Sequence, residues 1–133
     1  MDQRQDLSER LLTFSARVIR LLDDFPNTKA GREIEGQLLR SSMSVGANYE
    51  EARGADSKAD FCNKLQISFK EMRETRYWLC LTDRAALIAD KNKMGSLIDE
   101  ATQLRSILGK SIATARGKAR DKSDLSPPTL PLA

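Results

Sequence analysis

Residues 37–52, QLLRSSMSVGANYEEA, combine a helical spacing of apolar residues with an unusual number of small and polar ones. Residues that recur at steps of three and four form a row on one side of a helix. One row consists of Ile34, Leu38, Ser41, Val45, Asn48 and Ala52. A neighbouring row consists of Arg40, Ser44, Ala47 and Glu51. The stretch therefore predicts a helix that packs closely through small and hydrogen-bonding side chains, with two charges at the edge of the core or at a subunit boundary.

The flanking sequence predicts three more helices. Residues 7–24 carry apolar residues at alternating steps of four and three, which is the spacing of a bundle seam. The members of this seam are Leu7, Leu11, Phe14, Val18, Leu21 and Phe25. Thr28 is the expected N-cap of the second helix, which ends near residue 53. A capping box at residues 57–60 begins a third helix, predicted to be the longest, over residues 58–89, and a fourth spans residues 93–118.

Four helices joined by short turns favour antiparallel neighbours. The predicted fold class is therefore all-α, an up-down-up-down four-helix bundle. Residues 1–119 form its single domain. Residues 120–133 contain three of the four prolines and are predicted to be a disordered tail.

The third predicted helix has a second stripe that mixes charges with the only tryptophan, Trp78. This stripe either faces another subunit or is a wide core face whose polar members reach solvent. Arg40 is the expected partner of Glu71 or Glu74 in a buried ion pair, which would specify register more than net stability. The residues predicted to specify the bundle and its interfaces are Arg40, Asn48, Glu51, Lys64, Glu71, Glu74 and Trp78.

The net charge of +3 lies entirely in the C-terminal segment, because the first 109 residues carry 17 charges of each sign. A cationic end attracts polyanions, although Lys and Arg also suit the negative end of a helix dipole. Aromatic residues make up only 5%, so nucleic-acid binding here would be to phosphates and sensitive to salt. The predicted nucleic-acid-binding residues are Lys110, Arg116, Lys118, Arg120 and Lys122.

Reactive-site chemistry is scarce in this sequence. The chain has no histidine, which removes the commonest general base and metal ligand. The nearest approach to a di-metal motif is the pair Glu71 and Glu74, and an all-carboxylate site with Glu50 or Glu51 is a weaker alternative. Residues 108–111, LGKS, lack the earlier glycine of a phosphate-binding loop, since position 104 is Leu. We therefore expect no enzyme activity, cofactor or metal.

The two cysteines, Cys62 and Cys80, lie eighteen residues apart on one predicted helix. This separation is roughly 27 Å along the axis, too far for a disulfide within one chain. Free thiols fit a reducing cytoplasm, and no apolar run is long enough to span a bilayer. We expect a cytoplasmic protein without a membrane partner.

Three blocks of the sequence resemble the four-helix bundle proteins of the 23S rRNA intervening-sequence family: FSARVIRLLDDFP, QLLRSSMSVGANYEEA and DFCNKLQISFKEMRETRYWL. The resemblance covers about residues 14–82. It implies a bacterial, cytoplasmic, non-enzymatic protein that assembles into a homopentameric ring. Similar bundles are accessory variability proteins of diversity-generating retroelements, which bind a reverse transcriptase and nucleic acid through a basic surface, and the basic end ARGKARDK resembles theirs in composition.

The leading hypothesis is a homo-oligomeric binding or scaffolding accessory of RNA or of a ribonucleoprotein. The alternative is a structural or protein-partner assembly module that binds no nucleic acid.

Overall fold

Four helices account for almost all of the chain that is described. A computed structural model describes residues 3–119, together with the side chains of residues 7–117. The helices are α1 (Gln3–Leu22), α2 (Lys29–Arg53), α3 (Lys58–Arg84) and α4 (Lys91–Ala119). Residues 3–119 contain no strand, and the predicted all-α class is confirmed.

Side-chain contacts between helices show that neighbouring helices are antiparallel. Arg10 pairs with Glu100 and Asp24 pairs with Lys93, so α1 and α4 run in opposite directions. The same reversal holds for the other three neighbouring pairs, as shown by the contacts Ser8 to Arg53, Ser15 to Ser42, Val45 to Ser68, Ser41 to Thr75, Thr102 to Arg76 and Arg116 to Gln66. In the described part of the chain, α1 and α3 make no close backbone contact, nor do α2 and α4. The arrangement is the predicted up-down-up-down bundle.

The core is aliphatic and is drawn from all four helices. The seam predicted on α1 is buried at all five of its helical positions, and Phe25, which follows the helix, is half-buried. On α4, residues at steps of three and four point inward in the same way. These are Met94, Leu97, Ala101, Leu104, Leu108, Ile112 and Ala115.

Hydroxyl groups fill the interface between α2 and α3. Ser68 Oγ donates to the carbonyl oxygen of Val45 at 2.7 Å, and Thr75 Oγ1 lies 2.9 Å from Ser41 Oγ. Among the described residues, no buried side-chain nitrogen or oxygen lacks a hydrogen-bond partner. Small, satisfied side chains let the two helices approach closely, as the sequence predicted.

The buried face of α2 is wider than predicted. Five of the six predicted positions are buried and Asn48 is only half-buried. Gly31, Ser42 and Tyr49 are buried in addition. A buried arc of this width is expected of a helix that contacts two neighbours, here α1 and α3.

Thr28 and Ser57 are the N-caps that the sequence predicted, and of the capping box at residues 57–60 the structure shows the hydrogen bond to Ser57 Oγ. Thr28 Oγ1 accepts a hydrogen bond from the backbone N–H of Gly31 at 3.0 Å. Ser57 Oγ accepts one from the backbone N–H of Asp60, also at 3.0 Å. Each cap satisfies one of the backbone donors that the first turn of a helix leaves unpaired.

The predicted end of α3 is wrong. The helix ends at Arg84 rather than residue 89, because Ala86 adopts a left-handed backbone conformation with φ of 56°. The N–H of Ala86 donates to Asp83 O and the N–H of Leu87 donates to Thr82 O, which is a Schellman motif. α4 then begins at Lys91, with 29 residues against 27 for α3, so α4 is the longest helix and α3 is not.

The bounds of α1 also differ from the prediction. The helix begins at Gln3, four positions before residue 7, and ends at Leu22, two positions before residue 24. At its C-terminal end, turn hydrogen bonds from Asp23, Asp24 and Phe25 complete the stop ahead of Pro26. The helix therefore ends further ahead of the proline than the seam pattern predicted.

Candidate interfaces

The predicted nucleic-acid-binding residues divide between described and undescribed parts of the chain. Lys110 and Arg116 are both exposed on α4, and Arg116 Nη2 donates to Gln66 Oε1 of α3 at 3.0 Å. Six residues of helix turn them about 120° apart, so these two cations do not share a face. The side chain of Lys118, together with Arg120, Lys122 and the predicted tail 120–133, lies outside the described residues.

The predicted contact of Arg40 with the third helix is confirmed. Arg40 Nη1 lies 3.3 Å from Glu71 Oε1, and its other terminal nitrogen pairs with Glu74. Trp78 Nε1 donates to the same Glu74 carboxylate at 2.9 Å. The expectation that this ion pair is buried is wrong, because Arg40 is exposed and the two glutamates are only half-buried.

The pKa shifts of Glu74 and Arg40 both have the direction expected of an ion pair. The hydrogen bond from Trp78 lowers the pKa of Glu74, and Arg40 lowers it further. Glu74 in turn raises the pKa of Arg40. Because solvent screens a pair at the surface, its contribution to stability is on the order of 0.5 to 1 kcal/mol. Its clearer role is to fix the register of α2 against α3.

The other three predicted interface residues are not brought into this network. Asn48 Nδ2 donates to the backbone oxygen of Ser44 at 2.9 Å and to Ser44 Oγ at 3.0 Å, so its amide is used within α2. Glu51 is exposed and Lys64 is half-buried. Neither forms an ion pair with another described residue.

An apolar surface on α1 and α2 was not predicted from the sequence. Leu12 is 67% exposed, Ile19 is 48% exposed and Met43 is 53% exposed. Leu12 and Ile19 are two helical turns apart and flank Ser15, whose Oγ donates to Ser42 O beside Met43. We call Leu12, Ile19 and Met43 the apolar patch. The signal was present in the sequence, since Leu12 and Ile19 fall outside the seam that fills the core.

The described part of the chain offers neither a metal site nor a membrane span. Among the side chains of residues 7–117, no group of three or more Cys, Asp or Glu is placed to hold a metal ion. No helix in residues 3–119 has the length and apolar content that a bilayer crossing requires.

These antiparallel helices with an aliphatic core define an all-α helical bundle protein. The family model for the 23S rRNA-intervening sequence protein matches residues 4–110, and the chain belongs to that family. The resemblance drawn from three sequence blocks is thereby confirmed, over a longer stretch than those blocks cover.

A solved structure supports the same fold. It is the crystal structure of a protein of unknown function from the S23 ribosomal protein family of Bacteroides thetaiotaomicron, with 34% sequence identity and a TM-score of 0.76. The match covers 84% of this chain and 99% of the other. A search of curated proteins found no match.

Proposed function

We propose that this protein is a non-enzymatic, homo-oligomeric bundle that acts as a binding or scaffolding accessory of RNA or of a ribonucleoprotein. The observation that carries the proposal is the location of the net charge, with all of the +3 excess at the C-terminal end. Lys110 and Arg116 are exposed there, and neither forms an ion pair with a described residue. The family name refers to intervening sequences of 23S rRNA, which favours ribosomal RNA as the setting.

Self-association is the second part of the proposal. The apolar patch exposes three large hydrophobic side chains, and clustered apolar residues at a surface mark protein contacts. A closed ring, with five copies as the family resemblance implies, would cover every patch and bring the cationic ends together. Several ends on one assembly would bind a long polyanion more tightly than one end alone.

A reverse transcriptase is a further candidate partner, because the similar accessory variability proteins bind one.

The proposed location is the cytoplasm. Cys62 and Cys80 are both free thiols, which suits a reducing compartment. The absence of histidine supports a role without catalysis, because no imidazole is available as a base.

Charge neutralisation tests the proposed RNA contact in the full-length chain. The variant combines Lys110→Gln, Arg116→Gln, Lys118→Gln, Arg120→Gln and Lys122→Gln, and we call it the end-neutral variant. Fluorescence anisotropy with a labelled single-stranded RNA should show affinity reduced about tenfold or more, because phosphate contacts dominate such binding. The slope of log affinity against log salt should fall by roughly 0.7 for each phosphate that the variant no longer neutralises. A native protein that binds no RNA at low salt, or a variant that binds equally well, contradicts the proposal.

A structural or protein-partner module is the second candidate function. The apolar patch favours it, since this surface suits a protein rather than a nucleic acid. Purification of the native assembly from cells, followed by mass spectrometry and nucleic-acid extraction, separates the two functions. Recovery of one stoichiometric protein without bound RNA would favour the module.

A further inference from the structure

The outward side of α3 carries cations without any intervening carboxylate. Lys70, Arg73, Tyr77 and Arg84 are all exposed, and steps of three, four and seven residues place them on one side of the helix. Gln66 and Cys80 are the remaining residues of this row. The row therefore has three positive charges and no negative one.

α3 and α4 together bring three guanidinium groups into one cluster. Arg76 Nε donates to Thr102 Oγ1 of α4 at 2.7 Å, and Arg105 lies half-buried one turn further along α4. Burial lowers the pKa of Arg105, and the positive charges of Arg76 and Arg73 lower it further. We call Arg73, Arg76 and Arg105 the arginine cluster. No ion pair joins any of the three to a carboxylate among the described side chains of residues 7–117.

Nearby carboxylates are engaged elsewhere. α3 and α4 carry six acidic residues, and five of them contact other side chains. The contacts are Glu71 and Glu74 with Arg40, Asp83 with Lys91, Asp99 with Gln103, and Glu100 with Arg10. Like charges held together and partly desolvated oppose folding, and a bound anion would relieve this repulsion. The cluster is therefore suited to an external anion.

Tyr77 indicates which class of anion fits. Tyr77 is 58% exposed and lies one helical turn from Arg73 on the same row of α3. Its ring centroid lies 5.0 Å from that of Trp78 in an edge-to-face contact. An exposed aromatic ring beside arginines is a platform on which an unpaired base can stack. An acidic peptide would use the arginines but not this platform, whereas a nucleotide offers both a phosphate and a base.

We propose that the arginine cluster and Tyr77 form a binding site for a single-stranded segment of nucleic acid, with phosphates at the arginines and a base stacked on Tyr77. The inference rests on the proposed function, which makes nucleic acid the partner. It assigns the contact to α3 and α4, outside the five cations of the C-terminal end.

The test compares full-length variants in anisotropy titrations with a labelled single-stranded RNA, the matching DNA strand and the RNA duplex. Arg73→Gln combined with Arg105→Gln should weaken single-strand binding about tenfold and reduce the salt slope by roughly 1.4, which is two phosphate contacts. Tyr77→Ala should weaken it about tenfold, and Tyr77→Phe should restore it, because stacking requires only the ring. Arg20→Gln is the matched control, since Arg20 is an exposed arginine on α1. It should change affinity less than twofold.

The outcomes separate this inference from the proposed function. If the native protein binds RNA and the double variant binds equally well, the site on α3 and α4 is wrong while the end-neutral variant still decides the proposed function. If the native protein binds neither RNA nor DNA, both are wrong. Equal binding of strand and duplex, or no effect of Tyr77→Ala, contradicts base stacking. A double variant of reduced solution mass identifies the surface as a subunit contact and overturns the proposal. Should the double variant fail to fold, Arg73→Gln alone, at an exposed position, gives the same decision.

Discussion

Glu74 is the side chain through which Arg40 of α2 and Trp78 of α3 are held together. Its carboxylate pairs with the guanidinium and accepts the indole N–H at 2.9 Å. The sequence could predict the contact with Arg40, because opposite charges at matching heights on adjacent helices are readable from spacing. The hydrogen bond from Trp78 was not predicted, although the two residues are one helical turn apart.

In the Glu74→Gln variant, the free energy of unfolding should change less as the pH falls. Since the pKa of Glu74 is lowered on folding, its ionised form stabilises the protein above the unfolded pKa of about 4.3, and this stabilisation is lost as the pH falls through the lower folded value. The variant should therefore be less stable by about 0.5 to 1 kcal/mol at neutral pH, with the difference shrinking below about pH 4.3. Urea unfolding across this range measures it. Glu51→Gln, at an exposed glutamate without an ion pair in the described chain, is the control, and a difference that is constant with pH would count against the mechanism.

At the scale of elements, the starts of α2 and α3 were easier to predict than the end of α3. Thr28 and Ser57 have side chains that cap a helix, so their positions in the sequence mark where α2 and α3 begin. No residue marks the end of α3 in the same way, because Ala85 and Ala86 are good helix formers and the usual glycine is missing. Backbone hydrogen bonds to Thr82 and Asp83 decide the stop instead. The sequence pattern therefore extended this helix by five residues.

Ala86→Gly should stabilise the protein. Ala86 is the only non-glycine residue with positive φ in the described chain, and this conformation costs an L-residue roughly 1 to 2 kcal/mol that glycine does not incur. After allowance for the greater freedom of glycine in the unfolded chain, the gain in free energy of unfolding should be about 0.5 to 1 kcal/mol. Ala85→Gly is the matched control, because Ala85 has φ of −80° and should lose stability. Equal effects at the two positions in chemical denaturation would rule out the strain.

At the scale of the molecule, seam spacing and turn lengths were sufficient to predict the antiparallel bundle. They could not predict which outward residues form surfaces, because exposure depends on the rotation of each helix against its neighbours. The apolar patch and the arginine cluster both combine residues from two helices. The same limit applies to the second stripe on α3, whose members all lie in the described chain. Seven of them are half-buried and Ala85 is exposed; the seven are Asp60, Lys64, Ile67, Glu71, Glu74, Trp78 and Leu81.

Leu12→Glu combined with Met43→Glu should reduce the solution mass of the assembly. Two charges in the apolar patch would have to be desolvated in any subunit contact there, which is strongly unfavourable. Light scattering coupled to size exclusion should show single chains, with circular dichroism unchanged because both positions are exposed. Thr13→Glu, also exposed on α1, should leave the mass of the native assembly intact. A native protein that is already monomeric, or a double variant of native mass, contradicts assembly through this patch.

The bundle is not equally tight on all sides. α1 meets α4 through the least extensive backbone contact of the four neighbouring pairs, whereas α2 and α3 share the most extensive one. Polar pairs such as Arg10 with Glu100 and Lys93 with Asp24 border the looser side, and surface pairs resist opening only weakly. Thermal fluctuations will therefore part α1 from α4 at a lower free energy than they part the central hairpin. Local opening therefore begins between α1 and α4, while α2 and α3 stay packed against each other.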